Sequence, residues 1–213
     1  INLICEMGAT MIRLSHYPQS QYFYDLADQR GMVLWSEIPF CGPGGYDFTG
    51  YVKNAEENAR QVALEMIYQN INHPSVCFWG IFNEILVDDG RFKAYDDPVK
   101  FVNELNKLFK KTDPSRLTSF ATCVDHTHYQ GCSDLIAWNK YFRKPGNEAG
   151  VRKFYEQARQ TTNGHPLGIS EYGDAGSIKI HYDPRYDRVR DHAENYQQLT
   201  HEGYWRAIKD SEW

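Results

Sequence analysis

No stretch of this 213-residue chain approaches the roughly 20 consecutive apolar residues of a membrane-spanning helix. No segment is densely basic and the formal net charge is −5, so nucleic acid is not expected as a partner. Cysteine is sparse: Cys5, Cys41, Cys77, Cys123 and Cys132 are widely spaced, odd in number and form no Cys-x-x-Cys pair. They read as free thiols, neither a disulfide framework nor a zinc site. The first strand pattern is followed by Ser15-His16-Tyr17-Pro18, nothing like the glycine-rich phosphate loop of a nucleotide-binding doubly wound sheet. No internal repeat, low-complexity tract or linker divides the chain, which is read as one domain over residues 1–213. Ile1 opens into Asn2-Leu3-Ile4-Cys5-Glu6 without the basic n-region of a signal peptide. A soluble protein, cytoplasmic or periplasmic, is the expectation.

Aromatic residues are abundant instead, at 15% of positions with five Trp and fifteen Tyr. Flat rings stack on the C–H faces of sugars, and they also fill ordinary cores. Strand patterns lie at 9–14, 32–38, 76–82, 117–123, 135–141 and 167–172. Helix patterns lie at 19–30, 53–69, 99–111, 151–160 and 188–209, with Gly31 and Asn163-Gly164 as stops and Pro98 at a first turn. The strands are continuous apolar runs, as in a parallel sheet covered on both faces, and their alternation with helices implies βαβ units. The fold class expected is α/β, a (β/α)8 TIM barrel, whose active site is built at the C-terminal ends of the strands. Six strands are legible where a closed barrel has eight, and residues 1–7 read as helical. The expectation is an incomplete barrel with open sheet edges. Such a piece is expected to be inactive alone and either to belong to a longer chain or to form a homo-oligomer.

Two short acidic motifs carry the chemistry. Phe82-Asn83-Glu84 closes the apolar run 75–81, and Ser170-Glu171-Tyr172-Gly173 closes Pro166-Leu167-Gly168-Ile169. Each sets a carboxylate just past a strand, beside a residue able to hydrogen-bond it. Glycoside hydrolysis needs a carboxylic acid to protonate the leaving oxygen and a second carboxylate as nucleophile or base. Glu84 suits the donor and Glu171 the nucleophile, while Asn83 suits a sugar hydroxyl. A nucleophile must stay ionised, and Arg13, Tyr141 and Tyr172 are the candidate groups to hold Glu171 so. Arg13 to Pro18 ends the first strand and brings His16 to the rim. Trp35-Ser36-Glu37 ends the second, where Glu37 is a rival carboxylate whose expected use is to hold Arg13 or His16. Trp138-Asn139-Lys140-Tyr141 ends the fifth. His126, His128 and Tyr129 follow the fourth, where a metal site is the lesser alternative. No metal or cofactor is expected.

At these residues the chain resembles the catalytic barrel of glycoside hydrolase family 2, which includes β-galactosidases, β-glucuronidases and β-mannosidases. The likeness rests on Arg13-Leu14-Ser15-His16-Tyr17-Pro18, on Asn72-His73-Pro74-Ser75-Val76 leading to Asn83-Glu84, on Asn139-Lys140-Tyr141 and on Glu171-Tyr172-Gly173. It implies a retaining mechanism, with Glu84 as acid/base ending the family's strand four and Glu171 as nucleophile ending strand seven. It further implies that Tyr141 hydrogen-bonds the nucleophile, that Asn83 meets the sugar 2-hydroxyl, and that Arg13 and His16 lie near the nucleophile and the bound sugar. Asn139 and Glu37 complete the expected substrate-binding set. Flanking β-sandwich domains are expected. The best-known β-galactosidases of this type bind magnesium through a Glu and a His just after the strand that ends here at Glu37, and Ile38-Pro39-Phe40-Cys41-Gly42 offers neither. Asp174 stands where they carry a histidine that touches the sugar. β-Glucuronidases hold the uronate carboxylate with an Asn-x-Lys motif, and none lies between Glu171 and Trp213. The activity expected is hydrolysis of terminal β-galactosides in an oligo- or disaccharide. A β-glucuronidase, a β-mannosidase or a non-catalytic carbohydrate-binding barrel are the alternatives.

Overall fold

The computed structural model describes residues 1–42, 52–85, 98–123, 129–142, 147–162, 164–181, 183 and 192–209. Among them run α1 (Asn2–Glu6), β1 (Met11–Leu14), α2 (Gln21–Arg30), β2 (Val33–Glu37), α3 (Val52–Asn70), β3 (Val76–Asn83) and α4 (Pro98–Thr112). They are followed by β4 (Leu117–Thr122), β5 (Leu135–Asn139), α5 (Glu148–Thr161), β6 (Leu167–Glu171), β7 (Gly176–Ser177), β8 (His192–Ala193) and α6 (Glu194–Ile208). Strands β1 to β6 are hydrogen-bonded in chain order. The chain divides into two compact units, Ile1–Ala137 and Trp138–Trp213. No described helix is long and apolar enough to cross a membrane.

In the first unit β1 to β4 run parallel, with Arg13 opposite Trp35, Glu37 opposite Gly80 and Asn83 opposite Ala121. Between Gly80 and Asn83 the register slips, and an irregularity of this kind turns the end of a strand and re-aims its last side chains. Successive residues of a strand face opposite sides. Ser36 accordingly faces the helices, its Oγ 2.6 Å from the Tyr24 hydroxyl of α2 and 3.4 Å from Met66 Sδ of α3. Trp35 and Glu37 face the other way, and Glu37 is fully buried. It has room because Gly80, its partner across the ladder, carries no side chain. A Cβ there would overlap the Glu37 Cβ and stand 2.5 Å from Trp35 Nε1.

Helix α4 buries Phe101, Val102, Leu105 and Phe109, a stripe at spacings of three and four whose members each contribute about 1.5–3 kcal/mol. The chain then returns through a polar clamp. Arg116 donates from Nε to Val76 O at 2.6 Å and from Nη2 to Ile71 O and His73 O at 2.8 and 3.0 Å. Its Nη1 reaches Asp113 Oδ2 at 2.7 Å, which also accepts from Trp79 Nε1 at 2.9 Å. Burial pushes the Asp113 carboxyl up, but hydrogen bonds from Ser115, Arg116 and Trp79 outweigh it and hold it at about 2. The start of β3 is thereby pinned, which fixes where its far end arrives.

In the second unit β6 follows β5 in the sheet, and Lys140 N donates to Glu171 O at 3.0 Å just past the ladder. Helix α6 buries Tyr196, Thr200, Tyr204 and Ala207. The Tyr204 hydroxyl donates to Lys140 O and accepts from Phe142 N at 2.9 Å, so α6 holds the chain segment that leaves β5. Burial pushes that phenol up to about 12.

Several boundaries differ from the sequence pattern. β5 and β6 stop at Asn139 and Glu171, short of the expected 141 and 172, because apolar and aromatic character continues past the last ladder hydrogen bond. On α3 the buried stripe is Ala59, Ala63, Met66, Ile67 and Asn70, with Val62 half-buried at its edge. All of β6 is half-buried, where coverage on both faces was expected. The two-residue strands β7 and β8 are too short to leave a period. The last helix begins at Glu194, and the expected start at 188–191 lies outside the described residues. So do the loop at 86–97, most of the loop at 41–45, and His126 and His128.

Candidate active site

Four of the predicted side chains meet in the first unit. Arg13 donates from Nε to Glu37 Oε2 at 2.8 Å and from Nη2 to Glu37 Oε1 at 3.0 Å, a two-pronged pairing that suits a planar guanidinium. The same Nη2 reaches Asn83 Oδ1 at 2.9 Å. Arginine has donors only, so the Asn83 carbonyl must face it and the amide NH2 is the opposite end. His16 Nδ1 lies 2.9 Å from Glu37 Oε1 and 3.4 Å from Arg13 Nη2, and the Ser15–His16 peptide is cis. The guanidinium carbon stands 5.1 Å from the centre of the Trp35 ring. Glu37 thus offsets Arg13 in a buried setting and orients both it and His16. A buried charge is sustained only with such partners.

Glu84 follows directly on Asn83. Its φ is 53°, in the left-handed region that costs a non-glycine residue about 1–2 kcal/mol. Hydrogen bonds on both sides sustain it. Glu84 N donates to Ala121 O at 2.8 Å, Asn83 N to Phe40 O at 3.0 Å and Gly42 N to Asn83 O at 2.7 Å. Backbone strain held in place by its surroundings is a mark of functional positions.

The second unit holds the other carboxylate. The Tyr141 hydroxyl donates to Glu171 Oε2. A donor on a carboxylate favours its ionised form and fixes its orientation, which is what a nucleophilic carboxylate requires. Of the expected donors to Glu171, Tyr172 turns instead to α6, its ring 4.7 Å from Tyr204 and 5.2 Å from His201. Ser170 faces the other side of the strand and donates to Asn139 Oδ1 at 2.6 Å. Asn139, expected to bind sugar, is buried with its carbonyl committed to that link between β5 and β6. Glu84 belongs to the first unit and Glu171 to the second.

Among the described residues one group has spacing suited to a cation: Asp25, Asp28 and His73, whose ligand atoms lie within 4.8 Å of one another. His73 Nδ1 is 2.6 Å from Asp28 Oδ2 and its Nε2 is 3.1 Å from Gln21 Oε1. The ring therefore already joins α2 to the turn before β3, a structural use. Burial pushes the Cys132 thiol up to about 11, leaving it unreactive. Gly42, which the sequence reading passed over, touches the Glu84 backbone. Its only sequence signal was a glycine in a loop.

Residues 1–211 match the family described as Glycosyl hydrolases family 2, TIM barrel domain. A β-glucuronidase of Bacteroides fragilis is 40% identical over 99% of this chain and 30% of its own length. A β-galactosidase of Thermoanaerobacterium thermosulfurigenes is 28% identical over 78% of this chain and 21% of its own. The crystal structure of an FMN-binding β-glucuronidase from Faecalibacterium prausnitzii L2-6 superposes with a TM-score of 0.83 at 35% identity, covering 98% of this chain and 31% of that one. The chain therefore spans less than a third of the length of these relatives. The expected TIM-barrel class is shown, and the in-order sheet β1 to β6 is the part of that barrel described here.

Proposed function

The chain belongs to glycoside hydrolase family 2, and from that premise we propose that the protein carrying it is a retaining β-glycosidase acting on β-glucuronides. In the first step Glu84 protonates the glycosidic oxygen while a Glu171 carboxylate oxygen attacks the anomeric carbon. The aglycone leaves as an alcohol and a glycosyl-enzyme ester forms. In the second step Glu84, now ionised, takes a proton from water, the water oxygen attacks the same carbon, and Glu171 is released. The observation that carries this reading is the Tyr141 hydroxyl on Glu171 Oε2, which suits a carboxylate meant to attack rather than to donate a proton. Asn83, turned by Arg13 to present its NH2, suits a sugar hydroxyl oxygen as acceptor.

The glucuronide is favoured over the galactoside expected from sequence because the 40% relative bears the first name and the 28% relative the second. A β-galactosidase remains the second reading on the strength of that latter relative. Residues 172–213 contain no Asn-x-Lys, so this stretch does not itself argue for a uronate.

The test is a comparison of kcat/KM for 4-nitrophenyl β-glucuronide, β-galactoside and β-mannoside with the whole protein. The glucuronide is expected to lead by at least about a hundredfold, since a site built for a charged group rejects analogues lacking it. A lead by the galactoside overturns the sugar assignment. Undiminished turnover by Glu171→Gln removes the mechanism.

A further inference from the structure

We propose that Gly42 is a positioning residue for the Glu84 carboxyl: having no side chain, it lets the segment after β2 close on the Glu84 backbone and hold it in its left-handed turn. The proposal rests on the reading of Glu84 as proton donor. Gly42 is not among the glycines with positive φ, so its backbone makes no demand for glycine. Space does. A Cβ at this position would fall on the Glu84 carbonyl oxygen, 2.6 Å from the carbonyl carbon and 2.8 Å from Ile85 Cα. These are backbone atoms and cannot swing aside as a flexible side chain could.

The approach is built from both sides. Cys41 pairs with Asn83 as an isolated parallel bridge, Asn83 N donates to Phe40 O at 3.0 Å, and Gly42 N donates to Asn83 O at 2.7 Å. The chain that leaves β2 thus pairs once more with the end of β3. Phe40 is buried and anchors this segment edge-on against Phe101 of α4, with ring centres 5.5 Å apart. On the far side Glu84 N is tied to Ala121 O at 2.8 Å. The Glu84 carbonyl is therefore packed against Gly42 and its amide is hydrogen-bonded to β4, and the placement of its side chain follows from that of its backbone. Clearing a methyl group at position 42 requires the carbonyl to move by about 1 Å, and a displacement of that size costs about a hundredfold in rate.

The experiment uses the whole protein and two β-glycosides of its preferred sugar. The 2,4-dinitrophenyl aglycone departs as a phenolate without needing a proton, and a simple alkyl aglycone needs one. Glu84→Gln provides the reference profile. Gly42→Ala is expected to lose about a hundredfold or more in kcat/KM on the alkyl glycoside and less than about tenfold on the dinitrophenyl glycoside, as for a weakened general acid. Sodium azide is expected to speed dinitrophenyl turnover by this variant. Azide needs no base: it attacks the anomeric carbon of the glycosyl-enzyme, the ester bond to Glu171 breaks, and a β-glycosyl azide is released. Equal losses on both substrates, without an azide effect, overturn the proposal. Should Gly42→Ala not fold, Phe40→Leu loosens the same segment. It is expected to show the same bias at smaller size, and equal losses there overturn the proposal too. If Glu84→Gln itself shows no leaving-group bias, the reading of Glu84 falls. If Glu84→Gln shows the bias and Gly42→Ala does not, only the role of Gly42 falls.

Discussion

The Arg13 guanidinium bonds one carboxylate and one amide at once, and in doing so it fixes the orientation of both. Its bonds to Glu37 balance a buried charge, and its bond to Asn83 decides which end of the amide faces the guanidinium. Tyr141 does comparable work for Glu171. A hydrogen bond to a charged group is worth about 1.5–3 kcal/mol. Tyr141→Phe is therefore expected to lower kcat by about ten- to a hundredfold, while circular dichroism and the unfolding midpoint stay close to wild type because the hydroxyl is near the surface. A variant with full kcat shows that Glu171 is held by other groups.

Strand β3 illustrates how an element delivers a residue. Arg116 ties its first residue, Val76, and the turn before it through three backbone carbonyls, and its last residues are held by the segment 40–42 and by β4. Between the two lies the register slip that re-aims Asn83 and Glu84. The Asp113 link at the α4–β4 return carries a pH signature. Its carboxyl sits at about 2 in the folded chain against an ordinary 3.8. A depressed carboxylate stabilises the fold fully above its unfolded value, and that stabilisation disappears as pH falls through the folded value. The gap corresponds to about 2 kcal/mol, present at pH 5 and above and lost between about pH 4 and pH 2. Thermal unfolding of wild type and Asp113→Asn across this window is expected to show a large difference at pH 6 that closes towards pH 2. A difference that stays constant with pH assigns Asp113 a neutral packing role.

At the scale of the molecule, the proposed retaining reaction requires two carboxyl groups at a set distance. In the whole protein trapped as a 2-fluoro-glycosyl enzyme, the Glu84 and Glu171 carboxyl groups are expected about 5–5.5 Å apart, and a separation beyond about 6.5 Å would indicate inversion. Much of this was legible in the order of residues. Continuous apolar runs marked the strands, Gly31 and Pro98 marked helix ends, and polar residues at strand ends marked the rim, because each of these signals is local and periodic. The pairing of Arg13 with Glu37 was foreseen as one of two options for that carboxylate. The Asn139–Ser170 link, the space left by Gly80 and the close approach of Gly42 to Glu84 were not. Each of these depends on which residues of two strands stand opposite one another, and a single-residue slip such as that in β3 changes the answer without changing any local pattern. The sequence alone therefore marked the main strands and helices, the family, and Glu84 and Glu171 as the candidate carboxylates. Only the tertiary structure decided which backbone segments and side chains lie against them, since ladder register and backbone contact arise from segments far apart in the chain.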